Sequence, residues 1–382
     1  MSSLTTFEDM PLEIFQQIAR SSATANLSVA FILSQVSRSM NIKATAVLYE
    51  IACINALPSL ALSESATLTV TGVHQATHVR HIRITGGWIH HHSVHQFFPY
   101  VLLNIAKHAR SSQPLVSFHT HTASVDIASV FPAVDLGLPG FGEVSLRCST
   151  HPHSERSYLH MMRNISGIHL TKLILDYTEG SCQPTYNALA ETILEHVHSA
   201  SNLNHIVLAL STNISGHPQT LQDVLDNEKV VFQKLHYLHF IAEDINISAA
   251  AFIHRQTSIK ELRYITEFDY TDFLTSLLEH TTVPKLEVFS GLPSVVCLLC
   301  APVRRPLRKI TLEGGDMRDE MWCGVVDALS TADNLQELIL CQGWGYDKSD
   351  FDRLYNATQK LESIEFVLTR TAERTTVECL FT

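Results

Sequence analysis

The sequence predicts an α/β fold: a short helical head, then an irregular solenoid of parallel strands with helices outside. Three observations predict it. A six-residue pattern, apolar-x-x-apolar-x-apolar, recurs eight times between Leu170 and Leu361. Several intervals between the copies carry apolar residues at helical spacing. The first 55 residues read instead as three short helices, which gives two expected domains, 1–55 and 56–382. An ordinary α/β domain whose strands open with Leu is the alternative.

The head comes first. Pro11 suits an opening helical turn because the N–H it lacks would be unpaired there. Leu12, Phe15, Ile18 and Ala19 then share one helical face. A second helix is expected over Ser28–Met40, striped by Val29, Ile32, Leu33, Val36 and Met40. A third covers Lys43–Ile54, striped by Ala44, Val47, Leu48, Ile51 and Ile54. Three helices in about 45 residues make a marginal core. Ile14, Phe15, Phe31 and Tyr49 lie at the margins of those stripes or off them, leaving apolar surface that a partner would stabilise by covering. A cap over the first repeat is the competing reading.

The strand copies begin at Leu170, Leu203, Leu235, Ile259, Val283, Leu307, Leu335 and Leu361, in steps of 24 to 33 residues. Weaker copies begin at Val79, Leu115 and Phe141, with a further one at Ser65. Apolar residues at positions four and six put one side of a short strand inward. Leu189, Ile193, Leu194 and Val197 stripe Thr185–Ser199; Phe273, Leu274, Leu277 and Leu278 stripe Thr271–His280; Met321, Val325, Val326 and Leu329 stripe Asp319–Thr331. Strand then helix at a near-constant pitch gives a parallel sheet. No single unit buries its own apolar face, but stacked units do.

Composition bounds the chemistry. The chain has 382 residues, 45% hydrophobic and 17% charged, with a net charge of -11. That balance disfavours both a nucleic-acid partner, which requires phosphate neutralisation, and an anionic membrane surface. Met1–Met10 has no basic or apolar signal region, and the most apolar uncharged run, Ser294–Val303, is half a membrane span. Sequons at Asn26, Asn164, Asn213, Asn246 and Asn356 therefore read as chance matches, and eight scattered cysteines as reduced thiols. A cytoplasmic or nuclear location is expected.

No site for catalysis, cofactor or metal emerges. Among 22 histidines, His92/His95, His119/His121 and His151/His153 are spaced to share a face, but nothing completes a ligand set. Cys297 and Cys300 form a lone Cys-x-x-Cys filled by Leu298 and Leu299, which reads as buried thiols. Gly86–Gly87 and Gly314–Gly315 each follow a strand and read as turns. Arg304, Arg305, Arg308 and Lys309 are expected to form a solvated basic patch, with an acidic partner surface as the alternative.

Two resemblances add to this. Pro11, Leu12, Glu13, Ile14 and Ile18, then Leu33, Val36, Ser37 and Arg38, then Ala44, Leu48 and Tyr49, resemble the F-box, the helical motif that docks proteins into SCF-type cullin–RING ubiquitin ligases. Met10 stands where the family usually has Leu, and Met40 near its usual Trp. The strand copies resemble leucine-rich repeats, whose Asn or Cys after the strand is mostly replaced here. The resemblance implies a non-catalytic substrate-recognition subunit, with a linker adaptor and through it a cullin as partners. Adaptor binding would then fall to Pro11, Leu12, Glu13, Ile14, Ile18, Leu33, Val36, Ser37, Arg38, Leu48 and Tyr49. The array would hold an unknown target protein on its strand face or loops, with Trp88, Tyr237, Tyr264, Trp344 and Tyr346 as aromatic candidates. The alternative is a repeat scaffold with a helical cap and no ligase.

Overall fold

Position four of the strand pattern sets the architecture, because it is the position at which neighbouring strands align. The computed structural model describes residues 10–15, 17, 32, 34–62, 73–86, 91–108, 115–122, 127–132, 134–138, 140–148, 155–177, 185–199, 202–210, 217–241, 246–265, 283–300, 305–313, 319–341, 348–358, 360–370 and 373–380. They fall into two units, Met1–Leu170 with Glu179–Pro184, and Thr171–Thr178 with Thr185–Thr382.

In the first unit, residues 12–15 and 17 are helical, and the Phe15 N–H donates to the Pro11 carbonyl at 3.0 Å. A second helix runs Arg38–Leu48. Ser37 caps it from extended backbone, its Oγ accepting the Met40 N–H at 3.2 Å. This satisfies one of the donors that every helix start leaves open. Phe15, Met40, Ala44 and Val47 form the head's core, with Met10 and Leu48 packed on it. The Lys43 ammonium ties the two segments by donating to the Met10 carbonyl at 2.7 Å.

The expected helix divisions shift accordingly. Gln35 and Val36 form a turn, and Ser37 starts a new helix within the predicted Ser28–Met40. The predicted Lys43–Ile54 helix stops at Leu48, because Ile51–Cys53 is strand β1. Tyr49 to Ile54 fits the six-residue strand pattern, and pairing in register overrides helical spacing. The head therefore runs straight into the sheet.

β1 pairs in parallel with β2 (His81–Gly86), β2 with β3 (Leu115–Thr122), and β3 with β4 (Phe141–Cys148). The register aligns Ala52, Ile82, Phe118 and Val144, all position-four residues and all fully buried. The helix His91–His108 supplies Val94, Phe98, Val101, Leu102 and Ile105 to the same core. Phe98 and Phe118 lie 6.4 Å apart, and Phe118 meets Phe141 edge-on at 5.4 Å. The copy expected at Ser65 lies outside the described residues.

The second unit continues the pattern through β5 (Lys172–Asp176), β6 (His205–Ala209), β7 (Tyr237–Ile241), β8 (Glu261–Ile265), β9 (Val288–Gly291), β10 (Lys309–Leu312), β11 (Glu337–Cys341) and β12 (Ser363–Arg370). All eight are parallel, and β13 (Glu373–Leu380) closes antiparallel on β12. Leu173, Ile206, Leu238, Leu262, Phe289, Ile310, Leu338 and Ile364 align across them, none more than 8% exposed. Burying each such side chain stabilises the fold by about 1.5–3 kcal/mol. Helices Tyr186–Ser199, Pro218–Asp226, Asn246–Arg255, Pro293–Cys300, Asp319–Ser330 and Lys348–Ala357 fill intervals between strands. The helix expected at Thr271–His280 lies outside the described residues. No helix among them is long and apolar enough to cross a membrane.

One repeat starts three residues later than the pattern predicts. Phe289 aligns with Leu262 and Ile310, so the ninth strand's unit starts at Leu286 rather than Val283. Val283 has φ +45°, a left-handed backbone that excludes it from a strand. Gly291 then occupies position six, where the other parallel strands of the second unit carry a larger apolar or aromatic side chain. A Cβ there would run into the Tyr264 carbonyl oxygen and the Phe289 ring. Only glycine lets β9 pack this closely on β8. Gly291→Ala should therefore destabilise the second unit by about 1–3 kcal/mol, read as a lower urea midpoint at unchanged slope.

Candidate functional site

Two surfaces bear on function: the outer side of the head, and the strand face turned away from the helices in the second unit. On the head, Phe15 points into the core while its neighbours do not. Leu12 and Ile14 are 43% and 46% exposed, and Val36 on the turn before the second helix is 65% exposed. Ile32, which the stripe reading had placed on a buried face, is 60% exposed. Pro11, Glu13 and Arg38 are also exposed. Ser37 serves as the helix cap, and half-buried Leu48 leans on the head's own core. Tyr49 is half-buried at the helix end. Ile18 and Leu33 lie outside the described residues.

In the second unit, strand alternation separates the two faces. Leu173, Leu175, Ile206, Leu208, Leu238 and Phe240 line an interior cavity of about 20 Å³ together with Ile193, Leu225, Phe232 and Phe252 from the helical side. Tyr264 belongs with them. It is 2% exposed, and burial pushes its phenol well above the usual value. Tyr264 is therefore a core residue, not the contact residue expected of it. Trp88, Trp344 and Tyr346 lie outside the described residues, which leaves Tyr237 as the aromatic candidate found on the open face.

The register builds that face row by row. Lys172, His205, Tyr237 and Glu261 align across β5–β8, and Ile174, Val207, His239 and Arg263 align two residues on. His205 and Tyr237 stack with ring centres 4.0 Å apart and planes 5° from parallel. Burial, reinforced by Lys172 and His239, lowers the His205 pKa to about 4. Burial and the Arg263 guanidinium lower His239 likewise to about 4, against the opposing pull of Glu313 and Asp176. Burial foremost, then Glu261, raises the Tyr237 phenol. Beyond them the charges are paired. Arg263 meets Glu313 at 2.8 Å, Ser290 donates to the same carboxylate, and Lys309 meets Glu337 at 2.7 Å.

Of the remaining sequence features, Gly87, His151, His153, Arg304, Gly314 and Gly315 lie outside the described residues. Arg305, expected in a solvated patch, is 5% exposed, and its Nη1 donates to the Leu299 carbonyl at 2.5 Å. It thus satisfies a carbonyl left open at the end of the helix Pro293–Cys300. In that helix, burial pushes the Cys300 thiol up to about 12. His119 stands 4.0 Å from the Glu143 carboxylate on the first unit's open face. Among the described residues no group of three His, Cys, Asp or Glu side chains gathers as a metal site would need. His205 and His239 escaped sequence reading because they occupy the polar positions three and five, which carry no periodic signal. No family model matches this chain, and no curated protein matches it.

Both open-face imidazoles are held neutral in the fold, and the core imidazole of His196 is lowered by burial as well. The unfolded chain titrates them near the ordinary value of about 6.5. It therefore binds more protons than the fold between about pH 6.5 and 4, so stability is complete above the unfolded value and falls as the pH drops through that window. Urea midpoints should fall between neutral pH and about pH 5, and His239→Gln should flatten that fall.

Proposed function

We propose that the chain is a substrate-recognition subunit of an SCF-type cullin–RING ubiquitin ligase. In this reading the head docks to the linker adaptor and the repeat array holds a target protein. The observation that supports it best is the division of labour in the head. Phe15, Met40, Ala44 and Val47 complete a core of their own, while Leu12, Ile14, Ile32 and Val36 remain 43–65% exposed. Isolated exposed apolar residues are ordinary on a protein surface. Four of them on a head this small, at or beside positions where the F-box resemblance expects adaptor contact, favour a partner.

The chain would carry no chemistry of its own. It would act by proximity, raising the effective concentration of the target's lysines near a charged ubiquitin-conjugating enzyme. A repeat scaffold without a ligase is the second reading. The observation favouring it is that the head runs into β1, which pairs with β2 as an end strand would. An end cap needs no adaptor.

Capture of purified linker adaptor by the full-length chain separates the two. The ligase reading expects a complex that Leu12→Asp or Val36→Asp abolishes, since each places a charge on an exposed apolar position without touching the core. Phe15→Ala should act differently, destabilising the head by about 3–5 kcal/mol through the cavity it leaves. Failure of the unaltered chain to bind the adaptor rejects the ligase role.

A further inference from the structure

The open face of the second unit divides into a charged part and an uncharged part, and the division bears on what it holds. On β5 the face carries Lys172 and Asp176, and on β8 it carries Glu261 and Arg263. Between these margins β6 and β7 place half-buried His205, Tyr237, His239 and Ile241 over the buried side chains of Val207 and Ala209, a block with no fixed charge. Arg263 is already matched to Glu313, and farther along the sheet Lys309 to Glu337. An acidic or phosphorylated ligand would have to break the Arg263–Glu313 pair to reach that guanidinium. An uncharged one would not. The centre is also the part of the face with an unmet polar atom. Nε2 of His239 is buried and has no hydrogen-bond partner among the described residues. The parallel His205–Tyr237 stack beside it is rigid and largely apolar, the kind of surface on which interface energy concentrates.

We propose that the block His205, Val207, Tyr237, His239 and Ile241 is the docking centre for an uncharged, aliphatic and aromatic stretch of the target protein. The assignment rests on the reading of the array as the target-holding half of the chain. Charge complementarity carries it: Arg263 on the β8 margin is already matched to Glu313, and the centre offers ring faces and an aliphatic floor with no fixed charge. The neutral state of both imidazoles above about pH 5 agrees with it.

The test uses the full-length chain, immobilised and panned at neutral pH with a phage-displayed library of random peptides. The recovered peptides should be rich in Leu, Phe, Trp and Tyr and poor in Asp and Glu. Their affinity should fall at least about tenfold in Tyr237→Ala, and about as far in His205→Glu, which places a charge in the block without removing the tyrosine. Tyr237→Phe, which keeps the ring, should retain binding, and unchanged circular dichroism of the other two variants separates a lost contact from a folding failure. Acidic peptides as the recovered class, binding that survives in folded Tyr237→Ala and His205→Glu, or a selection that yields no binder each overturn the proposal. So does self-association of the chain that is lost with Tyr237, since a second copy would then be the occupant. Adaptor capture by the same variants keeps the two readings apart. A chain that captures the adaptor but selects no uncharged peptide loses only this docking centre; one that selects such peptides but never captures the adaptor loses only the ligase role.

Discussion

Every unit of this chain faces the same constraint: a strand of about five residues has one apolar side and cannot hide it alone. The solution is alignment. Position four of one strand lies beside position four of the next, from Ala52 through Val144 in the first unit and from Leu173 through Ile364 in the second. In a parallel pair, a slip of one residue would turn every one of these side chains to the opposite face. The register is therefore the interaction on which the cores, the placement of the helices and the composition of the open face all depend. Residues at positions three and five of the pattern, such as His205 and His239, become surface neighbours only because positions four and six are locked inside.

The same alignment explains why the units tolerate such different lengths. What must match is the six-residue strand; what connects one strand to the next is free to vary. The helix Tyr186–Ser199 takes its place with Thr185 Oγ1 accepting the Ala188 N–H at 3.1 Å, whereas the helix Pro293–Cys300 ends with Arg305 donating to the Leu299 carbonyl and Thr331 to that of Cys300. Each junction solves its own capping problem with whatever polar residue stands nearby. A repeat held by strand register needs no common helix sequence.

Most of the strand framework was legible because its signal is local and periodic. Ten of the expected starts fall in register, and the exception at Val283 is instructive. Val283-Pro284-Lys285-Leu286-Glu287-Val288 satisfies the pattern as well as Leu286-Glu287-Val288-Phe289-Ser290-Gly291 does at its first four positions. Only the left-handed backbone at Val283 and the close contact that admits nothing but Gly291 decide between them, and both are properties of the assembled sheet. β1 was misjudged for a related reason: Tyr49 to Ile54 serves either period, and the neighbour β2 settles the choice. The candidate surfaces were less legible. Phe15 and Leu12 are both apolar and three apart, yet one is core and the other exposed. Tyr237 and Tyr264 are equally aromatic, and a strand's alternation sends them to opposite faces. Arg305 looked like a surface charge because a cluster of basic residues carries no sign of which one will turn inward to a helix end.

Ile51–Cys53 follows the head's second helix directly after the turn at Tyr49 and Glu50, and is the strand paired with His81–Arg83. The Arg80 and His81 N–H groups both reach the Glu50 carbonyl, at 2.9 and 3.0 Å, so the joint is hydrogen-bonded and not merely adjacent. Fraying of the head thus strips the sheet of its outermost member and lays bare the amides along β2, an edge that invites pairing with other chains. Order in the head and solvent exchange at those amides are coupled by that three-residue splice, so whatever steadies one end of the joint also guards the seam behind it.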